Sequence, residues 1–222
     1  MVISKNILYF LKDLNKNNNR EWFNANKSVY SKVRLEYEMF VELLIQRVNH
    51  FDEDIGPLAA KDAIFRIFRD IRFSKDKSPY KTHFGAYISK GGRKAANPGY
   101  YLHIEPKGSF LAGGIYMPSS DILKAIRTEI YENIEEFKEI INSSDFKKNF
   151  GGLWGEKLKT PPRGFLKDFP DIELLKFKHY VVARNMTDEE VLDKDFLENT
   201  IKILRTALPL NRFINNTIKH SM

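Results

Sequence analysis

The chain has 222 residues, with 36 Lys and Arg against 29 Asp and Glu, a formal net charge of +7 and 42% hydrophobic residues. These values exclude disordered, collagen-like and low-complexity classes, and the length suits one domain able to bury a core. There is no cysteine, which removes disulfides, thiolate nucleophiles and Cys-ligated metals.

In chain order, Ser4 can cap a short helix carrying Ile7, Leu8, Leu11 and Leu14 at helical spacing, broken by the polar run Lys16 to Asn19. The apolar run Ile7 to Leu11 is too short for a signal-peptide core, and no stretch reaches the ~20 apolar residues of a membrane span. A cytoplasmic protein without a membrane partner is the expectation. From Arg20 to Phe51 an amphipathic stripe runs through Trp22, Phe23, Val33, Tyr37, Phe40, Leu44 and Val48, with an interruption near Asn24 to Asn26.

The segment Ala63 to Phe68 is rich in β-branched and aromatic residues and reads as a strand, and Ser74 to Pro79 reads as a loop. Thr82 to Ser89, Tyr100 to Glu105 and Phe110 to Met117 then suggest an antiparallel meander, joined by a basic loop from Gly91 to Pro98. Ser119 or Ser120 can cap a helix with its stripe from Ile122 to Ile141. Gly151 to Pro170 is irregular, Lys178 to Arg184 reads as a returning strand, and Asp195 to Leu208 as a helix. The predicted architecture is a single α+β domain over residues 1–222, an antiparallel meander packed against amino-terminal and carboxy-terminal helices.

The charge is localised. Lys61 to Lys94 holds ten cations and three anions, and the remaining chain carries 26 of each. Within that window Arg66, Arg69, Arg72, Lys75, Lys77 and Lys81 interleave with Phe65, Phe68, Phe73 and Tyr80. Arginine offers a fixed fork and lysine a mobile point charge for phosphate or carboxylate, so the segment is a candidate anion cradle. Asp70 falls beside Arg66 in either a helical or an extended reading, which suits a carboxylate that orients arginine better than a free base.

Strand alternation puts His83 and Tyr87 on one face, and Tyr101, His103 and Glu105 on one face, which a hairpin could bring together. Two imidazoles and a carboxylate are a metal-capable set, yet His-x-Glu is an unspecific spacing, so no metal is assigned. His83 or His103 beside a bound anion could serve as proton donor. Gly113-Gly114 leads towards a helix whose amino end could meet an anion, and Lys157, Lys159 and Arg163 sit in irregular backbone. Phosphate-loop, nucleophile-elbow, zincin-helix and kinase signatures are absent.

The run Arg66-x-x-Arg69-Asp70-x-Arg72-Phe73-Ser74-x-Asp76-Lys77-x-Pro79-Tyr80-Lys81 resembles the signature of the domain of unknown function 2461 family. Phe10-Leu11 with Asn18 to Phe23, Tyr100 to His103, Gly113-Gly114 with Pro118, and Leu158-Lys159 with Pro162 to Phe165 are similar to its other blocks. Thr160 stands where that pattern would place a basic residue. The resemblance implies a compact bacterial domain of about this length and points to the same basic segment, without an activity, cofactor or partner. Binding of a phosphorylated or otherwise anionic ligand by Arg66, Arg69, Arg72, Lys77, Tyr80, Lys81 and Arg163 is the expectation. Asp70, His83 and His103 are the candidates for acid–base chemistry. A nucleic-acid module with aromatic stacking is the second reading, and purely structural arginines the third.

Overall fold

The computed structural model describes residues 2–221. The amino-terminal stripe forms α1 (Lys5–Lys16), α2 (Arg20–Ala25) and α3 (Lys27–Asn49), with the interruption where the asparagines stand. Ile7, Leu8, Leu11 and Leu14 bury one side of α1, and Val33, Tyr37, Phe40, Leu44 and Val48 one side of α3. Asn19 caps α2, its side-chain oxygen accepting from the Trp22 N–H at 2.9 Å. Ser4 stands before α1 without a side-chain cap; its hydroxyl donates to Glu36 of α3 at 2.5 Å and ties the two helices together.

The meander is present. Strands β1 (Phe84–Ser89), β2 (Gly99–Ile104), β3 (Phe110–Ile115) and β4 (Tyr180–Asn185) form one antiparallel sheet in the order β1-β2-β3-β4. Alternation sends Phe84, Ala86, Ile88, Tyr100, Leu102, Ile104 and Leu111 into the core. On the opposite face Tyr87, Tyr101, Phe110 and Ala112 are half-buried. The register sets Gly85 against His103, Tyr87 against Tyr101, and His103 against Phe110.

The core side of the sheet meets α3 and the carboxy-terminal helices α10 (Phe196–Arg205) and α11 (Leu208–Ser221). A Cβ on Gly113 would lie 2.5 Å from the Ala207 Cβ, so this glycine lets the junction of α10 and α11 reach β3. The Gly-Gly pair is thus spent inside the sheet. The α11 helix, unmarked by the sequence reading, buries Leu210, Phe213, Ile214 and Ile218. The helix expected from Ser119 divides into α5 (Ser120–Glu132) and α6 (Ile134–Asn142), which meet at Asn133, the C-cap of one and the N-cap of the other. The short helices α7 (Ser144–Phe150), α8 (Ile172–Leu175) and α9 (Asp188–Leu192) precede α10.

The strand expected over Ala63 to Phe68 is corrected. Ala63 ends the short helix α4 (Ala60–Ala63), and beyond it stand only two isolated bridges, Ile64 to Ala86 and Phe68 to Tyr80. Four residue steps on one side therefore span six on the other, so Lys81, Thr82 and His83 belong to a bulge. Backbone bonds from Phe65 N to Gly85 O at 2.9 Å and from Lys81 N to Ile67 O at 2.8 Å hold its two ends. The result is a covered, irregular edge on β1. Among the described residues, no helix is long and apolar enough to cross a membrane.

Candidate functional site

The bulge turns Lys81 and His83 towards the half-buried face of the sheet. Tyr80, immediately before it, is fixed from both sides. The Asn18 side chain donates to the Tyr80 carbonyl at 2.9 Å and accepts from its N–H at 3.1 Å, and the Tyr80 ring stacks on Phe23 at 4.0 Å. Expected to line the site, Tyr80 is instead 4% exposed and packs in the core, because the clamp and the stack turn its ring inward.

A polar cluster follows. His83 and His103 lie ring over ring, with centroids 4.2 Å apart and planes inclined at 30°. Phe110 stacks on His103 at 4.5 Å. His103 Nδ1 shares a hydrogen bond with the Tyr101 hydroxyl at 3.0 Å, and its Nε2 lies 3.2 Å from Glu105 Oε2. The other Glu105 oxygen accepts from the Thr82 hydroxyl at 2.6 Å. Thr82, Glu105, His103 and Tyr101 thus form a continuous chain. A Cβ on Gly85 would stand 2.6 Å from the Tyr101 hydroxyl, so glycine here makes room for the end of that chain.

Burial, with the neighbouring His103, brings His83 down to about 4, so its ring is neutral at pH 7. Burial lowers His103 too, against the opposing pull of Glu105. Tyr101 is pushed up to about 12 by burial and by Glu105, so its hydroxyl keeps its proton.

The rim of this cluster is cationic. Lys81 is half-buried with its ammonium 5.2 Å from the centre of the Phe65 ring, and Phe65 packs edge-on against Tyr101 at 6.1 Å. Burial and then the positive charges of Arg66 and Arg93 depress the Lys81 pKa. Arg93 donates to the Lys61 carbonyl at 2.7 Å. Among the described residues none of these three cations is ion-paired with a carboxylate. Like charges brought close without a direct ion pair to a carboxylate repel one another and favour an anion between them.

The remaining predicted residues go elsewhere. Arg69 pairs with Asp76, and its other terminal nitrogen lies 3.3 Å from the Ser74 hydroxyl. Arg72 makes a two-point pair with Asp70 at 2.6 and 3.0 Å. Lys77 donates to the Ile71 carbonyl at 3.0 Å. These bonds knit the loop from Arg69 to Pro79 to itself. Asp70 therefore has Arg72 as its partner, where Arg66 was expected; Arg66 acts on it only as a weaker charge, and its carboxyl is held down to about 2. Hydrogen bonds from Ser78, and the Arg69 guanidinium, hold Asp76 low as well. At the tip Phe73 is 96% exposed, under the Arg72 guanidinium at 5.8 Å from the ring centre.

Arg163 is exposed on the connector that bridges to the outer edge of β4 through Trp154 and Val181. That is the sheet edge opposite the bulge. Lys157, on the same connector, is engaged by Glu173 at 3.4 Å and by the Phe177 ring at 4.6 Å. A groove between α1, α2 and α3, bounded by Tyr9, Trp22 and Val29, mixes Asp13 and Glu36 with Lys32 and selects no charge.

The structure thus brings together Lys81, His83 and His103 from the sequence expectation, with exposed Arg66 near enough to act on Lys81 as a charge, and adds Arg93, Phe65 and Thr82. Arg93 was legible only as one cation of the basic loop; its position depends on that loop folding back over α4. No match is found among curated proteins or solved structures. The family profile described as "Conserved hypothetical protein (DUF2461)" matches residues 6–213, and the chain belongs to that family.

Proposed function

We propose that the protein binds a phosphorylated or similarly anionic small molecule on the half-buried face of the sheet, over the bulge. The observation that carries this reading is the gathering of Lys81, Arg66 and Arg93 without a carboxylate partner beside a hydrogen-bonding floor. Arg66 and Arg93 supply guanidinium forks, Lys81 a partly desolvated ammonium, and the single N–H of the neutral His83 ring one further hydrogen bond. Phe65, Tyr101 and Phe110 form an apolar floor suited to the organic part of such a ligand. A cytoplasmic setting, where phosphorylated metabolites are abundant, suits this reading.

The direct test is thermal unfolding with inorganic phosphate, pyrophosphate, nucleotides and sugar phosphates at matched ionic strength. A ligand that binds the folded state raises the melting temperature with concentration. Absence of a shift with every anion would sink the proposal.

The exposed Phe73 under Arg72, with Lys75 and Lys77 nearby, favours a second reading: stacking and phosphate contacts with single-stranded nucleic acid. It predicts oligonucleotide affinity that falls steeply with salt and is lost in Phe73→Ser. A salt-independent affinity would remove it.

A further inference from the structure

The floor of the site is built to do more than accept hydrogen bonds. Each of His83, His103 and Glu105 offers one donor atom, and the three atoms lie within 4.8 Å of one another. Their placement follows from the sheet. His103 and Glu105 are two residues apart along β2 and its end, and the register that sets Phe84 against Ile104 brings His83 opposite Glu105. We propose that His83, His103 and Glu105 bind one divalent first-row transition-metal ion of the zinc type, with an open coordination position towards Lys81, Arg66 and Arg93.

Two further observations separate this set from a chance cluster. Ligating imidazoles in metal sites hydrogen-bond through their second nitrogen, and ligating carboxylates through their second oxygen. Here Tyr101 holds His103 Nδ1 at 3.0 Å, and Thr82 holds Glu105 Oε1 at 2.6 Å. The atoms left over, His103 Nε2 and Glu105 Oε2, are those that face each other at 3.2 Å. With the ion on Nε2, the imidazole proton sits on Nδ1 and is donated to the Tyr101 oxygen, so no partner is lost. Two imidazoles and one carboxylate form a donor set that zinc accepts, with a fourth position free for water or a ligand.

Tetrahedral zinc with bonds of about 2.0–2.2 Å sets its ligand atoms roughly 3.4 Å apart. From a spread of up to 4.8 Å the widest pair must therefore close by up to about 1.4 Å, shared between small χ rotations of half-buried His83 and Glu105. Glu105 supplies one negative charge, and the anion held by the cationic rim would supply the rest by occupying the open position. That last step rests on the anion-binding reading; the binding of the ion does not.

The test is titration of Co2+ and Zn2+ into the full chain after chelator treatment, without phosphate, followed by calorimetry and visible spectroscopy. One ion per chain is expected, with Co2+ d–d bands that Zn2+ abolishes by displacement. His103→Ala should remove the bands, and His83→Ala and Glu105→Gln should each weaken affinity at least tenfold, with circular dichroism unchanged. Thr82→Val, a positioning change, should weaken it about 10–100-fold. If His103→Ala fails to fold, half-buried His83 and Glu105 still decide the question. No binding by the wild type, or binding unaltered in His83→Ala and Glu105→Gln, overturns the proposal. Repeating the titration with pyrophosphate then reads the anion separately: a metal that binds while pyrophosphate does not retains the ion site and refutes the anion reading alone.

Discussion

Asn18 holds the bulge in place, and its removal has a calculable cost. Its amide makes both backbone hydrogen bonds to Tyr80, at 2.9 and 3.1 Å, across 62 residues of sequence. Asn18→Ala leaves the Tyr80 N–H and carbonyl without these partners in a part-buried place. A buried polar group left unpaired costs about 1–3 kcal/mol, and partial access of water at half-buried Asn18 lowers the sum to about 2–3 kcal/mol. For a chain of this size that is a fall in melting temperature of about 4–12 °C. Calorimetry and urea unfolding read it directly. Asn17→Ala is the control, because exposed Asn17 donates only to the Asp13 carbonyl of its own helix, and its effect should stay within about 1 kcal/mol. The variant Asn18→Ala should also weaken any ligand held by Lys81, next to Tyr80, and His83, three residues beyond it. A change below about 0.5 kcal/mol, equal to that of the control, would refute the clamp.

Other consequences are equally direct. Gly85→Ala places a methyl group 2.6 Å from the Tyr101 hydroxyl, so it should cost about 1–3 kcal/mol and shift the His103 ring resonances in NMR spectra; unchanged His103 resonances would contradict the packing. Asp70 should titrate at about 2 in the folded chain and return towards 3.8 in Arg72→Ala, read by carboxyl NMR. Because its folded pKa is depressed, its contribution to stability is present above the unfolded value and is lost as pH falls through about 2; the exposed pair makes that contribution small. Phe73→Ser removes a ring that is 96% exposed and should leave stability within about 0.5 kcal/mol, while a larger loss would show that the ring packs in solution.

The sheet was readable because its first three runs are short, rich in aromatic and β-branched residues and separated by Gly, Pro and Asn, with alternation visible in β1 and β2. The edge segment misled because Ile64, Phe65 and Ile67 have strand-like chemistry, yet their partner carries extra residues that break the ladder. Composition cannot show a bulge whose register is set by Asn18, far away in sequence. The same bulge explains why the signature divides: Lys81 belongs to it and Arg66 stands across from it, whereas in the loop beyond it Arg69 and Arg72 are paired with Asp76 and Asp70 and Lys77 is tied to a backbone carbonyl. The α11 helix was missed because Pro209 and several asparagines obscure its buried stripe, which tertiary packing on β3 sustains.

Isothermal titration of pyrophosphate into the wild type and into Lys81→Met tests the central claim most directly. Methionine preserves the apolar stem over Phe65 and removes the charge. Loss of one charge-assisted hydrogen bond of about 1.5–3 kcal/mol predicts affinity roughly 10- to 150-fold weaker, with stability equal to or above that of the wild type because repulsion from Arg66 and Arg93 is relieved. Equal affinity in the two proteins, or a Lys81→Met protein that unfolds while the wild type binds nothing, would contradict an anion site over the bulge.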